Sequence, residues 1–96
     1  REALTHWLQY PDPTSGQRVI AWTQQPAPRL LFVVNLDTEK EARNLKIPRT
    51  DVSLPLPRRL FSTAEREAEL PEQLPANELH WQIDHLLPGE GIVYEW

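Results

Sequence analysis

One stretch limits the folds open to this chain more than any other. Residues 29–36 read Arg-Leu-Leu-Phe-Val-Val-Asn-Leu, and both alternating sets within it are apolar. Leu30, Phe32, Val34 and Leu36 form one set and Leu31 and Val33 the other, with Asn35 interrupting the second. Successive side chains of a strand point to opposite faces, so a run that is apolar on both faces is expected to be covered on both. The last six residues, Gly91-Ile-Val-Tyr-Glu-Trp96, put Ile92, Tyr94 and Trp96 on one face and supply a strand to pair with the central one. A covered central strand closed by a terminal strand describes a small sandwich or barrel.

The segments between them fit that frame. Residues 2–10 suit either a helical stripe (Ala3, Leu4, Trp7, Leu8) or a strand with Leu4, His6, Leu8 and Tyr10 on one face. Pro11-Asp-Pro-Thr-Ser-Gly16 is a turn. Residues 17–24 alternate as a strand, with Arg18, Ile20 and Trp22 against Val19, Ala21 and Thr23, and residues 25–28 break it at hairpin spacing from the central run. A short strand over 42–47 with Leu45 and Ile47 inward follows an acidic turn. Pro48, Pro55 and Pro57 then lead to a brief strand over 59–62.

Ser62-Thr-Ala-Glu65 has the form of a capping box and predicts a helical turn as far as Leu70, stopped by Pro71. The stretch carrying Glu65, Glu67, Glu69, Glu72 and Glu78, opposed mainly by Arg66, reads as a solvated excursion. Leu79-His-Trp-Gln-Ile-Asp84 alternates with Leu79, Trp81 and Ile83 inward, and residues 86–91 turn the chain into its last strand. Ten prolines against three glycines favour many short segments with defined ends over long helices. The expected fold is all-β: an antiparallel β-sandwich of Greek-key type with six to eight short strands, in one domain over residues 1–96.

Charge and composition exclude several functions. A net charge of -4 argues against nucleic acid, since Arg58-Arg59 is the only adjacent basic pair. No apolar run approaches the roughly 18 residues of a membrane helix, and no signal-peptide pattern opens the chain. The absence of cysteine removes disulfides, thiolate metal sites and cysteine nucleophiles. A start at Arg1 with no methionine anywhere reads as a piece of a longer protein. The expected setting is soluble and, by a small margin, cytoplasmic, with any targeting signal outside this sequence.

The wording of the segments resembles a known family. Val19-Ile-Ala-Trp22, Leu30-Leu-Phe-Val-Val-Asn-Leu36, Leu79-His-Trp-Gln-Ile83 and Leu87-Pro-Gly-Glu-Gly-Ile-Val-Tyr-Glu-Trp96 resemble the C-terminal all-β domain of the α-amylase superfamily, glycoside hydrolase family 13. Gly89 stands where that family commonly has a second proline, and residues 58–78 match nothing in it. The resemblance implies a non-catalytic domain that packs on and stabilises the catalytic barrel of an α-glucan-active enzyme. The partner implied is that barrel, with α-glucan or maltooligosaccharide as a further one. No cofactor is implied. The family's catalytic carboxylates sit on the barrel, which takes at least about 200 residues, so none maps onto this chain. Two alternatives are an autonomous carbohydrate-binding module and a structural domain whose acidic loop meets a basic partner.

Candidate sites follow from residue type. Glu65, Glu67 and Glu69 form a solvated charge run rather than a facing pair of glycosidase carboxyls. His80 and Asp84 share a strand face beside His85, yet fall short of the four ligands of a structural zinc site. The expectation is no catalytic and no metal site. Exposed indole and phenol rings stack on sugars, which makes Trp7, Tyr10 and Trp22 the candidate carbohydrate-binding residues, against core or barrel-facing roles for the same side chains. Trp81 and Trp96 are expected to pack.

Overall fold

In a computed structural model, which describes residues 4–49 and 52–96, the chain is an all-β sandwich. Its strands are β1 (Leu4–Gln9), β2 (Val19–Gln25), β3 (Leu30–Asn35), β4 (Ala42–Pro48), β5 (Arg58–Ser62), β6 (His80–Leu86) and β7 (Gly91–Glu95). One antiparallel sheet has the order β1-β2-β3-β7-β5, and β4 pairs with β6 in a second, two-stranded sheet. The central run and the terminal strand do pair: Leu31 lies opposite Tyr94 and Val33 opposite Ile92. The ambiguous opening segment is a strand, because Leu4 to Trp7 find partners from Gln25 back to Trp22 that an isolated helix would lack.

The core lies between the sheets. Val19, Ala21, Leu31, Val33, Ile92 and Tyr94 meet Ala42, Leu45, Ile47, Trp81, Ile83 and Leu86 from the ribbon, with Leu74 of the long loop closing one side. Trp81, only 2% exposed, packs at 5.5 Å from Trp96, whose indole N–H donates to the Pro55 carbonyl. Asn35 interrupts the apolar pattern for a reason. Buried at the end of β3, its amide nitrogen donates to the carbonyls of Lys40 (2.9 Å) and Leu87 (3.2 Å), while its oxygen accepts from the Asp37 amide. One side chain thus ties the turn before β4 to the turn before β7.

The structure corrects several expectations. The central strand is covered on one face only: Leu30, Phe32 and Val34 are half-buried on the outer face, and Leu36 lies exposed beyond the strand. Leu79 points out to solvent and precedes β6, because the Asn77 side chain accepts from the amides of Leu79 (2.9 Å) and His80 (2.8 Å) and bends the chain there. No helical turn runs from Ser62 to Leu70 as a capped helix. Glu65 takes a positive φ of 56°, which the right-handed helix excludes. The reciprocal cap is made by Glu67, whose carboxylate accepts from the Ser62 amide (2.9 Å), while Ser62 Oγ accepts from the Ala64 amide.

Candidate functional site

The sandwich leaves the outer face of its five-stranded sheet without a covering layer among the described residues. Register decides what that face carries. Trp7 lies opposite Trp22, Trp22 opposite Phe32, Phe32 opposite Val93 and Val93 opposite Phe61, so one row crosses all five strands. At about 4.8 Å per strand the row spans about 19 Å. Ile20, Val34 and Leu30 flank it on neighbouring rows. The row itself is uncharged, and formal charge enters at the rim, with Arg18 beyond one end of β2 and the paired Arg58 and Glu95 (3.8 Å) at a corner. Trp7 is 49% and Phe61 47% exposed, which is far from the burial such side chains reach in cores.

The rings stand against one another. Trp22 and Phe32 are parallel within 8° with centroids 4.9 Å apart, a spacing close to that of the strands that carry them. Their faces therefore turn toward each other and their edges toward solvent. Trp7 is tilted against Trp22 (5.2 Å, 43°) and stacks more loosely with Tyr10 (6.2 Å, 27°). Tyr10, at the end of this group of rings, is 63% exposed. The structure brings the three candidate sugar-binding residues, Trp7, Tyr10 and Trp22, into one cluster and adds Phe32 to it, with Phe61 farther along the same row beyond Val93. Sequence reasoning left those two out, although Phe32 shared an alternating set with residues expected to be buried.

A second constellation is sealed inside. Glu90, at the turn into β7, is 1% exposed and receives Arg66 Nε (2.9 Å), Arg66 Nη2 (2.5 Å), the Leu87 amide (2.8 Å) and the Ser62 hydroxyl. Burial disfavours the Glu90 carboxylate, and the hydrogen bonds from Arg66, Ser62 and Leu87 outweigh it, leaving the group below the ordinary carboxylate range. Hydrogen bonding to Glu90 likewise raises Arg66. The Arg66 Nη1 also meets His85 Nε2 at 3.1 Å, which makes that nitrogen the acceptor and directs the Nδ1 proton toward Asp84 Oδ2 (3.0 Å). Arg66 thus turns inward, and the acidic loop keeps Glu65, Glu69, Glu72 and Glu78 facing water without it. The sequence signal was present in the one basic residue of an acidic run.

This network pins the 62–79 loop to the β6–β7 turn, and its groups are occupied with one another. Beside it, Tyr94 lines a cavity of about 140 Å³ with Leu70, Leu74, Pro75 and Ile83, and burial pushes its hydroxyl far above the usual range so that it stays protonated. Of the candidate metal ligands, Asp84 is exposed and spoken for by His85, and His80 lies farther along β6. Among the described residues no three His, Asp or Glu side chains converge. Among the described residues no helix is long and apolar enough to cross a membrane. No family model matches this chain, and neither does any curated protein or solved structure.

Proposed function

We propose that this chain is a non-catalytic β-sandwich domain of an α-glucan-active glycoside hydrolase, and that it packs on the catalytic barrel through the outer face of its five-stranded sheet. The observation that carries the reading is the uncharged row from Trp7 to Phe61, five strands wide. Exposed apolar side chains gathered on one sheet face, Trp7 at one end of the row and Phe61 at the other with only Val93 between them closed off, mark a place where another body sits. The identity of that body comes from the segment resemblance described above. Stacked rings favour protein over sugar as the occupant. A pyranose needs an open aromatic face, and here the faces of Trp22 and Phe32 are given to each other while their edges form ridges suited to interdigitating side chains.

Hydroxyl-radical footprinting tests this by comparing the 96-residue chain with the full-length gene product. Trp7, Tyr10 and Phe61 are expected to react in the short chain and to be protected in the long one. Equal reactivity in both would remove the docking reading. Retention of the short chain on amylose, lost on Tyr10→Ala, would establish the carbohydrate-binding module instead.

A further inference from the structure

A sheet edge exposes unpaired N–H and C=O groups, and proteins blunt such edges with charge, proline, bulges or a covering segment. Three edges here are treated that way. At β5, the Arg59 amide donates to the Glu72 carbonyl (2.9 Å) and Arg58 bridges to Gln73, so the long loop covers it. At β6, the Gln82 amide donates to the Pro75 carbonyl (2.8 Å) and Trp81 bridges to Ala76. The β4 edge carries Arg43, Lys46 and Pro48, with Asn44 in the left-handed region at φ 53°.

The β1 edge bulges between Trp7 and Gln9, but from Leu4 to Trp7 it has none of these along its open side. Leu-Thr-His-Trp-Leu-Gln contains no charge and no proline, and among the described residues no backbone bond reaches that side. Its open groups can be assigned. The Leu36 amide donates to the Arg18 carbonyl, which makes Arg18, Ile20, Trp22 and Gln24 the residues of this hairpin that bond toward β3. Thr23 and Gln25 then bond toward β1, opposite His6 and Leu4. Thr5 and Trp7 are left with N–H and C=O directed outward. Trp7 is also the end residue of the aromatic row, so whatever covers the row overhangs this edge.

We propose that an extended segment of the catalytic domain adds to β1 as a sixth strand of this sheet, bonded through the backbone of Thr5 and Trp7. The inference rests on the docking reading and names what the docked domain contributes. An apolar residue of that segment falls beside Trp7, continuing the row, and a polar one falls beside His6, which is exposed on the opposite face. The other end of the row needs no such strand, since the chain's own loop seals β5.

Residue-level amide hydrogen exchange separates the two ideas when run on the 96-residue chain and on the full-length gene product. The Thr5 and Trp7 amides are expected to exchange at least about tenfold more slowly in the long form, while His6, already bonded toward β2, changes little. Fast exchange at Thr5 and Trp7 alongside protected Trp7, Tyr10 and Phe61 side chains would overturn the added strand and leave docking intact. Amides and side chains both open would overturn both. Protection that grows with concentration in the short chain alone would assign the edge to a second copy and overturn the proposed occupant. Thr5→Pro removes one outward donor without touching the β2 ladder. It is expected to leave the short chain folded and to restore fast exchange at Trp7 in the long form.

Discussion

The buried carboxylate at Glu90 offers the sharpest test of how this fold is held. Glu90→Gln keeps the shape and removes the charge that Arg66 faces from inside the protein, where Arg66 is only 7% exposed. Breaking a buried pair from one side costs about 3–5 kcal/mol, because the remaining ion has neither water nor partner. For a 96-residue domain, about 4–8 °C per kcal/mol converts this to a fall in Tm of about 12–40 °C. Such a loss consumes much of the about 5–15 kcal/mol that holds a typical domain folded. The double variant Arg66→Met with Glu90→Leu removes both charges and leaves the Leu87 amide and the Ser62 hydroxyl without their acceptor and His85 without its Arg66 donor. Its expected cost is about 1–3 kcal/mol for each buried group left unpaired, with no uncompensated charge remaining. Urea denaturation followed by circular dichroism measures both. A loss under about 1 kcal/mol for Glu90→Gln, the range of solvent-exposed pairs, would refute the view that this pair is desolvated and fastens the loop.

Acid should act through the same group. The native Glu90 carboxyl lies below its unfolded value of about 4.3, so its contribution is complete above that pH and is lost as pH falls through the native value. Urea midpoints are expected to hold between pH 7 and 5 and to drop below about 4, with a shallower drop in Glu90→Gln; equal slopes in the two proteins would contradict this. Leu31→Ala, at a position with no exposure, is expected to cost about 2–5 kcal/mol by thermal melting, against under about 1.5 kcal/mol for Trp7→Ala in the short chain. Comparable losses would mean that Trp7 is part of the core rather than of a docking face. Asn35→Ala strips the carbonyls of Lys40 and Leu87 of a buried donor and should lower stability by about 1–3 kcal/mol, read from chevron or equilibrium data. Gly89→Ala meets no atom within 4 Å, so its expected loss of about 1–2 kcal/mol comes from φ +70° alone, and Gly89→Asn should recover part of it.

Much of this architecture was legible from pattern alone. Residues 30–35, 42–47 and 91–95 alternate or run apolar over strand lengths, and the pairing of the central run with residues 17–24 and with the terminal strand followed from spacing, whereas the separate pairing of β4 with β6 did not. Leu79 and the expected helical turn after Ser62 were misread because an Asx turn at Asn77 and a positive φ at Glu65 are side-chain and backbone choices that hydrophobic period does not report. Of the surface, the sequence supplied Trp7, Tyr10 and Trp22 as rings to be watched, without saying that they would touch.

What the amino-acid order determined is the period-2 alternation, and with it most of the strands and the all-β class, because alternation acts between residues adjacent in the chain. What the tertiary structure decided is register and enclosure. Only pairing across five strands sets Trp7, Trp22, Phe32, Val93 and Phe61 in one row, and only the folding back of the 62–79 loop brings Arg66 onto Glu90. Both depend on contacts between residues far apart in the chain, from Trp22 and Phe32 to Phe32 and Val93, whose free energy appears when the sheets close and water leaves.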